Sequence, residues 1–284
     1  MTMSEPLLAG GIKITAPSVE GAQLNMLLWG DSGSGKTTLA ATAPGKKLYL
    51  MFDPGGELSL TSRHDVDVLN LSAQTAATVI AQFKGADPYG LGKVLGEHPE
   101  YATVVVDSMT SLAYLALQEA VRNAGGTKIS MEQPGMQGYG YRNALLLRIT
   151  VVIMTMCAKH KRHLVLITHE GRPDRNQEGI VTSVTMALSE GVSNQVGLRF
   201  NEVWHLEDTG TERRIAIRPC RLRQPMKTRL FAATGPEFVW HYNPDTQVGD
   251  GIADWYHAWQ QGNGVRLPLP GAGTSTTSKG GPKK

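Results

Sequence analysis

Cysteine is scarce in this chain of 284 residues: Cys157 and Cys220 are the only two, far apart and outside any metal-ligand spacing. That excludes a disulfide-stapled scaffold and a zinc finger, and it fits a reducing, cytoplasmic compartment. Acidic residues stop at Asp254, whereas Arg266, Lys279, Lys283 and Lys284 follow it. The formal net charge of +3 therefore belongs to the tail, and the rest of the chain is close to neutral. Overall charge gives no argument for a nucleic-acid partner; only local basic clusters can. Long hydrophobic runs are missing as well. The most apolar stretch, Ile149 to Ala158, is bounded by Arg148 and Lys159. It falls short of the ~20 residues that cross a bilayer and reads as a buried helix, so no membrane partner is expected. The first eleven residues carry Glu5 and lack the basic start and apolar core of a signal peptide. No internal repeat is present.

What remains is the composition of a globular protein, with 41% hydrophobic and 19% charged residues, long enough for a sizeable core. Short apolar runs at Leu24–Trp29, Leu48–Phe52, Thr103–Val106 and Leu164–Thr168 read as buried strands. Between them, Lys36–Ala43, Gln74–Lys84 and Ser111–Arg122 read as helices, and a long apolar helix runs to about His163. Glycine-rich or proline-rich loops are expected from Lys84 to Pro99 and from Gly125 to Gly140. This alternation predicts an α/β fold, a mostly parallel sheet flanked by helices. Ligands bind at the carboxyl ends of such strands, and there stand the Gly30 loop, Asp53, Asp107 and His169. Four shorter runs, Val203–Leu206, Arg214–Ile217, Thr228–Phe231 and Phe238–Trp240, predict antiparallel strands extending the sheet. Ile252, Trp255, Tyr256 and Trp259 follow helical spacing and predict a terminal helix packed on the body. The expected organisation is an N-terminal segment over 1–20, one domain over 21–261, and a disordered basic Gly/Ser/Pro tail over 262–284.

The most specific signal is Gly30-Asp31-Ser32-Gly33-Ser34-Gly35-Lys36-Thr37, followed by Thr38. It satisfies G-x-x-x-x-G-K-[ST] between a strand and a helix. Glycines let successive backbone N–H groups turn inward around a phosphate without Cβ clashes. Lys36 supplies a positive charge to the β- and γ-phosphates, and Thr37 offers a hydroxyl to Mg²⁺. The helix that starts there adds its positive end. Val104-Val105-Val106-Asp107 is the matching metal-side strand, buried by its valines and ending in a carboxylate. ATP and Mg²⁺ are the expected ligands.

The segments GDSGSGKTT, LYLMFD with PGGE after it, VVVDSMTSL, LVLITHE and RPCRLRQPMKTR, spread over Leu24 to Phe231, resemble the RecA-like P-loop ATPases. Among these the chain is similar to the phage Sak-type single-strand annealing and recombination ATPases, a phage nucleotide-binding AAA-type family. The resemblance implies a carboxylate after the second strand that orients the attacking water. Asp53 stands there in place of the usual glutamate, with Glu57 four residues on, so slow or DNA-dependent turnover is implied. His169 falls where such proteins carry a polar sensor of the γ-phosphate. Lys227-Thr228-Arg229 resembles the K-x-R pair that one subunit inserts into its neighbour's nucleotide, which implies a ring or filament of identical subunits.

Single-stranded DNA is the implied partner, with a single-strand binding protein as a further one. Seven basic residues and no acid lie between Arg213 and Arg229, including Arg221 and Arg223. Lys159-His160-Lys161-Arg162-His163 forms a second cluster, and Tyr139 and Tyr141 are candidate base stackers. Arg172 and Arg175 lie in a long polar segment where the resemblance implies a DNA-binding loop. Two other readings stay open: a P-loop kinase for a small acceptor, and an ATP-dependent switch without DNA-stimulated turnover.

Overall fold

In a computed structural model, described for residues 8–9, 12–13, 18–124, 130–220, 222–232 and 234–271, one eight-stranded sheet carries the molecule. Its strands are β1 Asn25–Gly30, β2 Lys46–Met51, β3 Val66–Asn70, β4 Tyr101–Asp107, β5 His163–His169, β6 Glu202–Asp208, β7 Arg213–Ala216 and β8 Glu237–Trp240. They lie in the order β8-β7-β6-β1-β5-β4-β2-β3. From β6 to β3 neighbouring strands are parallel; β7 and β8 add on antiparallel at one edge.

Among the described residues the α-helices are α1 Lys36–Ala40, α2 Ala76–Lys84, α3 Leu91–Glu97, α4 Met109–Asn123, α5 Gly135–Lys159, α6 Glu190–Arg199 and α7 Ile252–Gln261. Because strand side chains alternate between faces, each central strand feeds two cores. Leu27 and Trp29, Val104 and Val106, Leu164 and Leu166 join α2, α4 and α5 on one face. Met26 and Leu28, Val105, Val165 and Ile167 join α1 and α7 on the other. A strand buried on both faces has no polar side, which is why these runs stand out in the sequence. α5 is long and apolar enough by length and composition to cross a membrane. Its buried residues, Leu145, Leu146, Ile149, Ile153, Met156 and Cys157, form one stripe against that first core, as a core helix requires.

Several elements depart from the expected boundaries. β3 is an edge strand whose residues are half-buried or exposed, so its apolar signal is weak. α3 occupies part of the expected loop before Pro99. α5 starts at Gly135, inside the expected glycine-rich loop, and α6 folds part of the polar segment after Gly171. Thr228–Phe231 forms no strand; isolated bridges join Val203 to Lys227 and Phe231 to Leu267. The tail expectation needs correcting at its start. Leu267 N–H donates to Leu230 O at 2.8 Å, Ala232 N–H donates to Leu267 O at 2.6 Å, and Leu269 is buried. Residues 272–284 lie outside the described residues, as does most of the 1–20 segment.

Phe231 locks this corner, packing against Trp204, Phe238 and Trp255 with ring centroids 5.3–5.7 Å apart. Phe231→Ala is expected to lower stability by about 3–5 kcal/mol, read from urea unfolding. A loss below 1 kcal/mol would show that the corner is not well packed.

Candidate functional site

The end of β1 turns into α1 through the glycine loop. Gly30 has no room for a side chain: a Cβ there would sit 2.1 Å from Leu206 O on the neighbouring strand. Gly35, just before α1, has φ 91°, in the left-handed region that favours glycine. Asp31 and Ser32 are exposed, and Ser34 is buried. Lys36 is buried and folds back over the loop, its Nζ donating to Gly30 O at 3.0 Å and Asp31 O at 2.6 Å. Burial depresses its pKa, opposed by the carboxylates of Asp107, Asp31, Asp53 and Glu170. Thr38 is half-buried on α1, whose first turn is steadied by Tyr49, its hydroxyl donating to Thr37 O at 3.0 Å.

Across the loop, Thr37 Oγ1 donates to Asp107 Oδ2 at 2.7 Å. Asp107 is buried, and burial is the chief reason its carboxyl is pushed up to about 6; Asp53 adds to this, while Thr37, His169 and Lys36 oppose it. A hydroxyl and a carboxylate side by side, next to a buried ammonium, match the donor set that holds Mg²⁺ on a triphosphate.

Asp53, just beyond β2, accepts on both oxygens. Oδ1 takes the Ser108 hydroxyl at 2.8 Å and the Ser111 hydroxyl, and Oδ2 lies 2.9 Å from His169 Nε2. Burial alone would raise its pKa, but the hydrogen bonds from His169, Ser111 and Ser108 outweigh it and bring it to about 2. The five residues Lys36, Thr37, Asp53, Asp107 and His169, far apart in sequence, thus share one end of the sheet. Glu57 stands apart in a 3₁₀ turn, Gly56–Leu60, that packs against α1. Its Oε2 is buried with no hydrogen-bond partner among the described residues.

One pair escaped the sequence reading. Glu170 Oε2 lies 2.7 Å from Nε2 of buried His205, and the Glu170 N–H donates to Gly30 O at 2.9 Å. The only hint was an acid beside His169 at a strand tip.

Lys227 and Arg229 are not brought to this end. The bridge from Lys227 reaches Val203, and Arg229 N–H donates to Glu202 Oε1 at 2.7 Å. Glu202 faces Met26 while Leu206 faces Gly30, so the pair lies four residues down the sheet, roughly 13 Å from its own loop. Buried Glu202 also accepts from Leu230 N–H, Thr228 Oγ1 and Trp204 Nε1, which sets the turn that presents both cations.

The DNA candidates divide. Tyr139 and Tyr141 sit on α5, not in a loop. The Arg142 guanidinium lies 4.8 Å over the exposed Tyr139 ring, while Tyr141 is half-buried against the core. Arg172 and Arg175 are exposed. Arg223 pairs with Glu207 and Glu237, and Arg214 pairs with Glu212 and Glu237, so acids offset part of the basic run. Arg221 lies outside the described residues. In the Lys159–His163 cluster, Arg162 donates to Leu95 O. His163 accepts from Leu24 N–H at 3.0 Å, and burial, with His257, lowers its pKa to about 4.

A phosphate loop on β1, a carboxylate-tipped β4, and between them a strand ending in a polar side chain define a P-loop NTPase fold. The profile of the AAA domain family AAA_24 matches residues 22–230, more than half of the chain, and the chain belongs to that family. Among solved structures it is similar to the RadB recombinase, with 16% identity over 78% of this chain and 88% of that one, TM-score 0.44. It is also similar to a KaiC-like protein of Pyrococcus horikoshii, with 14% identity over 81% and 88%, TM-score 0.42. No curated protein matches it.

Asp107 has a stability cost with a definite sign. Its carboxyl is raised from 3.8 to about 6 in the fold, so the protonated form favours folding below pH 4, and that advantage is lost as pH rises through 6. Without Mg²⁺, Asp107→Asn is expected to raise the melting temperature at pH 7 by a few degrees and to have little effect near pH 4. Equal melting at pH 7 would contradict the buried, ionised carboxylate.

Proposed function

We propose that the chain hydrolyses ATP with Mg²⁺ as an oligomer on single-stranded DNA, in the cytoplasm, and serves annealing or strand exchange of the phage recombination kind. The observation that carries this reading is the convergence of Lys36, Thr37, Asp53, Asp107 and His169 at one sheet end. Lys36 would exchange the Gly30 and Asp31 carbonyls for phosphate oxygens. Thr37 and Asp107 would hold Mg²⁺, which neutralises charge on the β- and γ-oxygens when bound. Asp53 would orient water, and His169, hydrogen-bonded to it, would report the terminal phosphate. His169 is followed by residues tied to a distant part of the chain: Gly171 N–H donates to Thr185 O, and Ala187 N–H donates to His169 O, each at 2.8 Å. A change at His169 would therefore reach the segment that carries Arg172 and Arg175, a DNA-facing loop in this reading.

The position of Lys227 and Arg229 supports a role between subunits. Their distance from their own loop leaves a neighbouring copy's nucleotide as the phosphate they could serve, and exposed Tyr139 with Arg142 is suited to base stacking. One observation favours slower turnover: three donors already take three of the roughly four acceptor sites of the Asp53 carboxylate, leaving a single site to orient a water. An ATP-dependent switch with little hydrolysis is the reading this favours as the alternative.

ATPase assays with and without single-stranded DNA test the proposal. Turnover is expected to rise with DNA, and Lys36→Ala is expected to lower it at least about a hundredfold. Arg229→Ala is expected to spare ATP binding while reducing turnover. Mixing it with Asp53→Asn should restore part of the activity, since mixed assemblies then contain intact interfaces. Full activity of Lys36→Ala would overturn the site, and absence of any DNA effect on binding or turnover would overturn the DNA role.

A further inference from the structure

Glu170 and His205 serve none of the roles above, yet their bond crosses the strand end from which the phosphate loop springs. β1 lies between β5 and β6, with Gly30 opposite His169 on one side and Trp29 opposite His205 on the other. Glu170 follows His169, so the 2.7 Å contact from its Oε2 to His205 Nε2 spans β1 from one neighbour to the other. The main chain grips the same spot. Glu170 N–H donates to Gly30 O at 2.9 Å, the carbonyl on which Lys36 Nζ also rests at 3.0 Å. A carbonyl oxygen accepts two bonds, so Glu170 keeps Gly30 O partnered when Lys36 leaves it for a phosphate.

This arrangement is a poor way to fill space. His205 is buried, and a carboxylate only accepts, so the imidazole must present its Nε2–H to Glu170. Its Nδ1 is buried with no hydrogen-bond partner among the described residues. The same holds for Nε1 of Trp29, whose ring centroid lies 4.3 Å from that of His205. Buried polar atoms left unpaired cost stability, and an apolar side chain on β6 would avoid that cost. Glu170 is fixed from its other side as well: an isolated bridge joins it to Met186, and Gly171 N–H donates to Thr185 O at 2.8 Å.

We propose that Glu170 and His205 are positioning residues for triphosphate binding. Their hydrogen bond straps β5 to β6 across β1 and holds the Gly30 carbonyl, and with it the root of the phosphate loop, where Lys36 and the loop N–H groups meet phosphate. Both act through Gly30 and not on the phosphate itself. The proposal rests on the phosphate-loop reading, and the test separates the two. Charge and position have opposite signs at Glu170. Its carboxylate is one of four that favour the charged form of Lys36, and it repels an incoming triphosphate. Removing the charge alone would therefore tighten binding, whereas losing the strap would weaken it.

Calorimetric titration with MgATP, alongside urea unfolding of each variant, tests the strap. Glu170→Ala is expected to weaken MgATP about tenfold, the scale of one hydrogen bond to a charged group. Glu170→Gln keeps an acceptor for His205 Nε2–H and is expected to restore affinity to within about twofold of wild type. His205→Leu should match the alanine variant, and Glu170→Ala combined with His205→Leu should lose no more affinity than either alone. Affinity that is unchanged or tighter in Glu170→Ala, even with lower stability, would overturn the positioning role while the phosphate loop stands. Equal weakening by alanine and glutamine would overturn it too, since the bond to His205 would then not be what matters. A wild-type chain that does not bind MgATP would overturn the phosphate-loop reading and the strap with it.

Discussion

The contact between the Thr37 hydroxyl and the buried Asp107 carboxylate joins residues seventy positions apart, and the rest of the site is arranged around it. It exists because β5 is inserted between β1 and β4, which sets the two strand ends at a distance that one hydroxyl–carboxylate bond can close. The same insertion brings His169, at the tip of β5, within reach of Asp53. Burying a carboxylate that deeply costs stability unless a cation or a hydrogen bond compensates. Asp107 has the Thr37 hydroxyl and the neighbouring Lys36 ammonium. A carboxyl raised to about 6 records that the compensation is incomplete.

Asp53 shows the opposite balance. Three donors hold it ionised, so it is a well-anchored carboxylate and a weak proton acceptor. Glu170 extends the same network one strand further, linking the end of β5 to His205 on β6 and, through its backbone, to Gly30. The phosphate loop, β5 and β6 thus share bonded atoms.

The two ends of the sheet have different tasks. The carboxyl end gathers Lys36, Thr37, Asp53, Asp107 and His169. Near the amino end, buried Glu202 spends its four hydrogen bonds on shaping the turn that carries Lys227 and Arg229. A buried carboxylate with every bond satisfied is an organising element, since removing it would leave two backbone N–H groups without partners.

Local patterns in the sequence were enough for the phosphate loop, the central strands and the terminal helix. A glycine-lysine-threonine spacing and doubly buried apolar runs are short-range signals that tertiary context does not alter. Asp53, Asp107 and His169 were legible as strand-end residues, but their mutual bonds depend on the order in which the strands lie side by side. Edge elements were the least legible. β3 mixes apolar and polar residues because only part of it is buried, and Thr228–Phe231 looks like a strand yet is shaped by Glu202. Ion pairing was not legible from the sequence: Arg214 and Arg223 in the basic run are paired with Glu207, Glu212 and Glu237 in the fold. The chemistry of the loop was thus determined by residues adjacent in the chain. Which carboxylate meets which cation was decided only by the sheet, because electrostatic partners are chosen by distance in space.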